Sequence, residues 1–168
     1  AVEKAKSPIK GATLYVNLEP CNNFGKTPPC TDRLIKEKIS QVVIAMKDPN
    51  PINKGKGIKK LKKAGIKIRL GVLEKKAREL NRAFIKYMEK GLPLVTLKLA
   101  ESLDGKIAAN TGDSKWITSV DARKYVHKLR LQHDACMVGI NTVLRDNPTL
   151  INKLYKEQHT RQPARIIV

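Results

Sequence analysis

Cys21 and Cys30 are separated by eight residues in the stretch Glu19-Pro20-Cys21-Asn-Asn-Phe-Gly-Lys-Thr-Pro-Pro-Cys30, while the third cysteine, Cys136, is far away. Two thiols at the ends of one short loop suit a zinc ion, and a hydrolytic zinc needs three protein ligands with a fourth position open for water. No third donor is evident nearby. The histidines are His127, His133 and His159, all distant in sequence, and Glu3 has no histidine two residues before it. Metal ligation and two ordinary free thiols therefore both fit the pair on its own. A disulfide-stapled secreted domain does not, because three cysteines with one remote suit a reducing compartment better.

The second half offers three further features. Ser102-Leu103-Asp104-Gly105-Lys106 places an Asp-Gly turn between apolar segments. Trp116, the single tryptophan, follows Gly112-Asp113-Ser114-Lys115 and suits either a packing anchor or a wall for a flat ring. Arg130 is either a surface charge or a phosphate ligand. Thirty-four Lys and Arg against fifteen Asp and Glu give a net charge of +19, which attracts nucleic acid, an anionic membrane or a phosphorylated substrate alike. The lysines are scattered through every segment, and aromatics are only 4% of residues, which supplies a single-strand stacking platform poorly.

These residues need elements to position them. Residues 12–18 read as a strand ending at Glu19-Pro20-Cys21, and Thr31-Asp32 opens a helix with Leu34, Ile35 and Ile39 along one face. A strand over 41–46 follows, then the breaker Asp48-Pro49-Asn50-Pro51, a helix over 55–64 and a strand over 66–70. The alternation predicts an α/β sheet with parallel neighbours. Residues 74–89 make one helix carrying Leu80, Phe84 and Tyr87, and Gly91-Leu92-Pro93 marks a boundary that divides the chain into domains 1–91 and 92–168. Beyond it come a strand over 94–99, a helix capped by Ser119 or Asp121 and running to about Gln132, and a strand over 135–139. The apolar residues 165–168 read as a strand whose domain is expected to continue. No apolar stretch has transmembrane length, no signal peptide is visible, and the cytosol is the expected compartment.

The order of these motifs resembles a known family. Leu14-Tyr15-Val16-Asn17-Leu18-Glu19-Pro20-Cys21 with Gly25-Lys26-Thr27-Pro28-Pro29-Cys30, followed by Asp48-Pro49-Asn50-Pro51 and Gly55-Lys56-Gly57, resembles the zinc loop of the bifunctional deaminase-reductase family of riboflavin biosynthesis. Ser102 to Lys106, the run from Gly112 through Ser114, Trp116 and Thr118, and the segment from Val138 to Leu150 resemble the reductase half of the same family. The resemblance implies the C-terminal part of a cytidine-deaminase-like zinc domain followed by the first part of a dihydrofolate-reductase-like domain.

It also implies that Cys21 and Cys30 are zinc ligands, with the third ligand and the proton-shuttling Glu in a His-Ala-Glu motif placed upstream of Ala1, so that the chain is a fragment. Ala100, Trp116, Thr142 and Asp146 are then the NADPH contacts. Ser114, Arg130, Leu150 and Lys153 are the contacts to the phosphorylated substrate, Lys153 standing where the family often has Arg and keeping its charge without the planar fork. The implied cofactors are Zn2+ and NADPH. The implied chemistry is hydrolytic deamination of a phosphoribosylaminopyrimidine, then reduction of its ribosyl to a ribityl chain. The implied partner is that small molecule, with neither nucleic acid nor membrane, and a homo-oligomer is compatible with it. Two rivals are a basic nucleic-acid-binding protein with a structural zinc and a monofunctional nucleoside or tRNA deaminase.

Overall fold

The apolar run Gln41–Met46 forms β2, which has neighbours on both sides: β1 (Thr13–Leu18) and β3 (Lys67–Leu70) pair with it in parallel, in the order β1-β2-β3. Being central, β2 buries Val42, Val43, Ile44 and Met46 in succession, whereas the edge strand β1 alternates between exposed and half-buried residues. Parallel strands require crossovers, and α1 (Cys30–Lys36) and α2 (Lys56–Lys63) supply them. Leu34 from α1, Ile58 and Leu61 from α2, and Val42 and Ile44 from β2 close one apolar cluster with Ile39 and Ile66. A second cluster joins Met46 to Ala77 and Ile85.

This is a computed structural model, and it describes residues 2–5, 7–154 and 162–168. The chain divides into two compact units, Ala1–Thr96 and Leu97–Val168. The helix expected over 74–89 is two helices, α3 (Glu74–Leu80) and α4 (Arg82–Lys90). At the break, Asn81 Nδ2 donates to the Ala77 carbonyl at 2.8 Å, a side-chain bond that competes with the backbone for the same acceptor. Helix α4 ends at Gly91 with φ 67°, a conformation glycine adopts freely.

In the second unit, β4 (Ala135–Val138) and β5 (Ala164–Ile167) form a two-stranded parallel sheet, flanked in sequence by α5 (Val120–Leu131) and α6 (Ile140–Asp146). Ser119 caps α5, its Oγ accepting from the Ala122 amide at 3.2 Å, as its position before the apolar run predicts. The strand expected over 94–99 is not a strand. Val95, Leu97 and Leu99 are exposed there, and the segment joins neither of the two sheets among the described residues. Among the described residues no helix is long and apolar enough to cross a membrane.

Candidate functional site

The cysteine loop is held by a buried polar network that begins at Glu19, the residue after β1. Its carboxylate is 3% exposed and accepts backbone N–H bonds from Asp48 at 3.2 Å, Gly55 at 2.9 Å and Ile58 at 3.0 Å. A buried carboxylate is tolerable only when its oxygens are satisfied in this way. One loop and the first turn of α2 are thereby tied to the residue two positions before Cys21. Gly57 lets them approach, since a Cβ there would lie 2.1 Å from the Pro20 carbonyl oxygen.

From the other side, Asn53, also buried, donates to Asp48 Oδ2 at 2.9 Å and accepts the Asn22 amide at 2.8 Å. The Thr31 hydroxyl in turn donates to Asn22 Oδ1 at 3.2 Å. Both ends of the loop are therefore fixed. The Cys30 amide donates to Cys21 Sγ at 3.3 Å, and the Thr31 amide donates to the Cys21 carbonyl at 3.2 Å. Burial, then a thiol hydrogen bond with Cys21 and its charge, push the Cys30 thiol above the ordinary range. A cation beside both sulfurs would instead favour their thiolates.

The donor set is nevertheless two. Among the described residues no group of three His, Cys, Asp or Glu side chains gathers to hold a metal. His127 and His133 belong to the second unit, and His159 lies outside the described residues.

The reductase-type residues fall into three places. Ser114 and Trp116 line an open cleft of about 530 Å³ together with Ser102, Asp104, Lys106 and Lys115. The turn is closed by Gly105, and the Ser102 amide donates to the Lys106 carbonyl at 2.9 Å. Trp116 is 71% exposed, with the Arg123 guanidinium 4.3 Å from its ring centroid, so a flat aromatic face stands at the cleft already paired with a cation. Lys106 and Lys115 are offset there by Asp104 and Asp113, so the cleft is not a plain anion trap.

Positive charge is instead concentrated where α5 meets the loop after α6. Arg130 Nη1 donates to the Ile151 carbonyl at 3.3 Å, and the Lys153 amide donates to His127 Nδ1 at 3.3 Å. Leu150 is 8% exposed in the same loop. Thr142 and Asp146 lie one turn apart on α6, both exposed, and Ala100 is half-buried ahead of the turn; none of these three lines the cleft of Trp116.

Sequence reasoning named the cysteines but not Glu19, Asn53 or Thr31, which hold their loop. Glu19 carried a usable signal, since an acid between a strand end and a cysteine loop has backbone amides around it. His127 also carried one, standing three residues before Arg130 on the same helical side.

Residues 93–168 match the family described as RibD C-terminal domain. Over all 168 residues the chain is 51% identical to riboflavin biosynthesis protein RibD of Aquifex aeolicus, covering 47% of that protein. It is 50% identical to RibD of Bacillus amyloliquefaciens, covering 45% of it. A solved structure from Thermotoga maritima, described as a diaminohydroxyphosphoribosylaminopyrimidine deaminase/5-amino-6-(5-phosphoribosylamino)uracil reductase, superposes with a TM-score of 0.91 at 47% identity, over 99% of this chain and 47% of that one. Acinetobacter baumannii RibD superposes with a TM-score of 0.91 at 44% identity, over 99% of this chain and 48% of that one. With cysteine loop, turn, tryptophan cleft and basic loop in one α/β chain, this likeness runs unbroken through all of them: the chain is similar along its whole length to RibD proteins, and it spans about half the length of the curated relatives it matches.

Proposed function

We propose that this chain carries the zinc-loop part of a deaminase in its first unit and the entrance of an NADPH-dependent reductase in its second, acting on a phosphorylated aminopyrimidine in riboflavin biosynthesis. What supports the reading is the continuity of the likeness to RibD, 51% identity over the whole chain, across two units of different architecture. Cys21 and Cys30 would hold zinc as two of its ligands, with the third donor and the proton-shuttling acid in the part of the relatives' length that this chain does not span. The buried Glu19, Asn53 and Thr31 network fixes the two ends of the loop that carries these cysteines. Zinc bound there would activate a water for attack on the amino-bearing carbon.

In the second unit NADPH would supply hydride to the opened ribose. The chain's own residues bind and orient: Trp116 offers a stacking face, Ser114 a hydroxyl, Thr142 and Asp146 polar contacts beside Ala100, and Arg130, Leu150 and Lys153 a basic and apolar seat for the substrate. No side chain of the second unit is assigned as acid or base, so its contribution is positioning and charge complementarity. The nucleic-acid rival and the monofunctional deaminase find no support in the family match.

Because Trp116 is the single tryptophan, its emission reports on the cleft alone. Titration with NADPH should quench that emission with transfer to the nicotinamide, and Trp116→Phe should abolish the signal while calorimetry still detects the cofactor. Unchanged emission together with no heat of binding would sink the reductase reading.

A further inference from the structure

The loop that carries Leu150 and Lys153 is held by side chains rather than by a sheet. Asn147, with φ 41°, ends α6 in a left-handed conformation that asparagine adopts readily, but Leu150 has φ 54°, which a bulky residue adopts only when surrounding contacts impose it. Gln162 works as a substitute strand, its Oε1 accepting the Asn152 amide at 2.8 Å and its Nε2 donating to the Asn152 carbonyl at 3.4 Å. The Leu154 amide is taken by Asn152 Oδ1 at 3.1 Å. The remaining two backbone groups are met from α5, the Ile151 carbonyl by Arg130 and the Lys153 amide by His127. His127 and Arg130, three residues apart, share one side of the helix, and present an acceptor and a donor to two backbone groups of the loop.

Among the described residues, two donors at this place meet no acceptor. Arg130 Nε is buried without a hydrogen-bond partner, and so is Nδ2 of Asn152, a residue 1% exposed. Buried donors left unmet are costly, and their clustering beside Lys153 fits an acceptor-rich, negatively charged group.

We infer that His127 is a positioning residue for the phosphate end of the substrate: its unprotonated Nδ1 fixes the Lys153 amide, so that Lys153 and Arg130 are presented together. The inference rests on the reading of Arg130 and Lys153 as contacts to a phosphorylated substrate. His127 need not touch the ligand. It acts through the backbone of Lys153, and only an acceptor at the Nδ1 position can serve.

Asn is the side chain that places an oxygen where His has Nδ1, and Ala places nothing there. Ribose-5-phosphate is titrated into the 168-residue chain and into its His127→Ala and His127→Asn variants at roughly pH 7.5, above the ordinary imidazole range. Exchange of the Lys153 amide is followed in the same samples. His127→Ala should weaken the ligand about fivefold, the scale of one hydrogen bond, and speed exchange at Lys153. His127→Asn should restore both to within about twofold. An alanine variant that binds as tightly as the parent, or an asparagine variant as weak as alanine, would overturn the inference while leaving the phosphate reading in place. Failure of the parent chain itself to bind ribose-5-phosphate would instead overturn the phosphate reading, and the inference with it.

Discussion

At the scale of single residues, the tightest demand in the molecule is at Gly57. Its position inside α2 would ordinarily favour alanine by about 1 kcal/mol. Yet the added methyl would sit 2.1 Å from the Pro20 carbonyl oxygen and 3.2 Å from Glu19 Oε1, and the first of these is backbone that cannot swing away. Overpacking of this kind costs roughly 1–3 kcal/mol, so the clash outweighs the propensity gain. Gly57→Ala should therefore lower the urea midpoint by the equivalent of about 1–2 kcal/mol. Gly25→Ala, with no atom within 4 Å of the new Cβ, should change it little. Equal midpoints for the two variants would show that the Glu19 clamp yields easily. Because Pro20 adjoins Cys21, the same shift should disturb the bond from the Cys30 amide to Cys21 Sγ.

At the scale of elements, the grip of helix α5 on the loop after α6 depends on the protonation of His127. Burial, then the charges of Arg130 and Lys153, hold the His127 imidazole below its ordinary value of 6.5. The unfolded chain therefore takes up this proton at a higher pH than the folded one. The stability contributed is fully present above about pH 6.5 and is lost as pH falls through the folded value. Urea midpoints of the parent should thus drop between roughly pH 7.5 and pH 5 more than those of His127→Asn, which has no proton to gain there. Parallel slopes would show that His127 titrates as it does in the unfolded chain. Much of this architecture was legible in the sequence: β2, α2 and the Ser119 cap fall where periodicity and capping chemistry put them, because burial and local hydrogen bonds decide them. The break at Asn81 and the irregular segment 94–99 did not, since one depends on a side chain's choice of acceptor and the other on whether a neighbouring strand is present. The pairing of Gln162 with Asn152 joins residues with no local pattern at all.

At the scale of the whole molecule, the two units differ in how much apolar surface they hide. Among the described residues, the buried apolar side chains belong to the first unit except for Leu150 and Pro163, while Met137, Ile166, Ile167 and Val168 remain exposed around the second unit's sheet. That sheet has two strands, so among the described residues each has an outer edge whose amides and carbonyls meet no further strand. Such edges are templates for pairing between molecules. What opposes that encounter is the net charge of +19, felt as mutual repulsion over about 10 Å at 0.1 M ionic strength and only about 3 Å at 1 M. Colloidal behaviour should then run contrary to ordinary salting-in: light scattering from a concentrated sample should stay low in dilute buffer and climb as sodium chloride is added, and a flat or falling trace would mean that the edges are not sticky. Anyone purifying this protein would accordingly do better to elute and store it at the lowest salt that keeps it off the column.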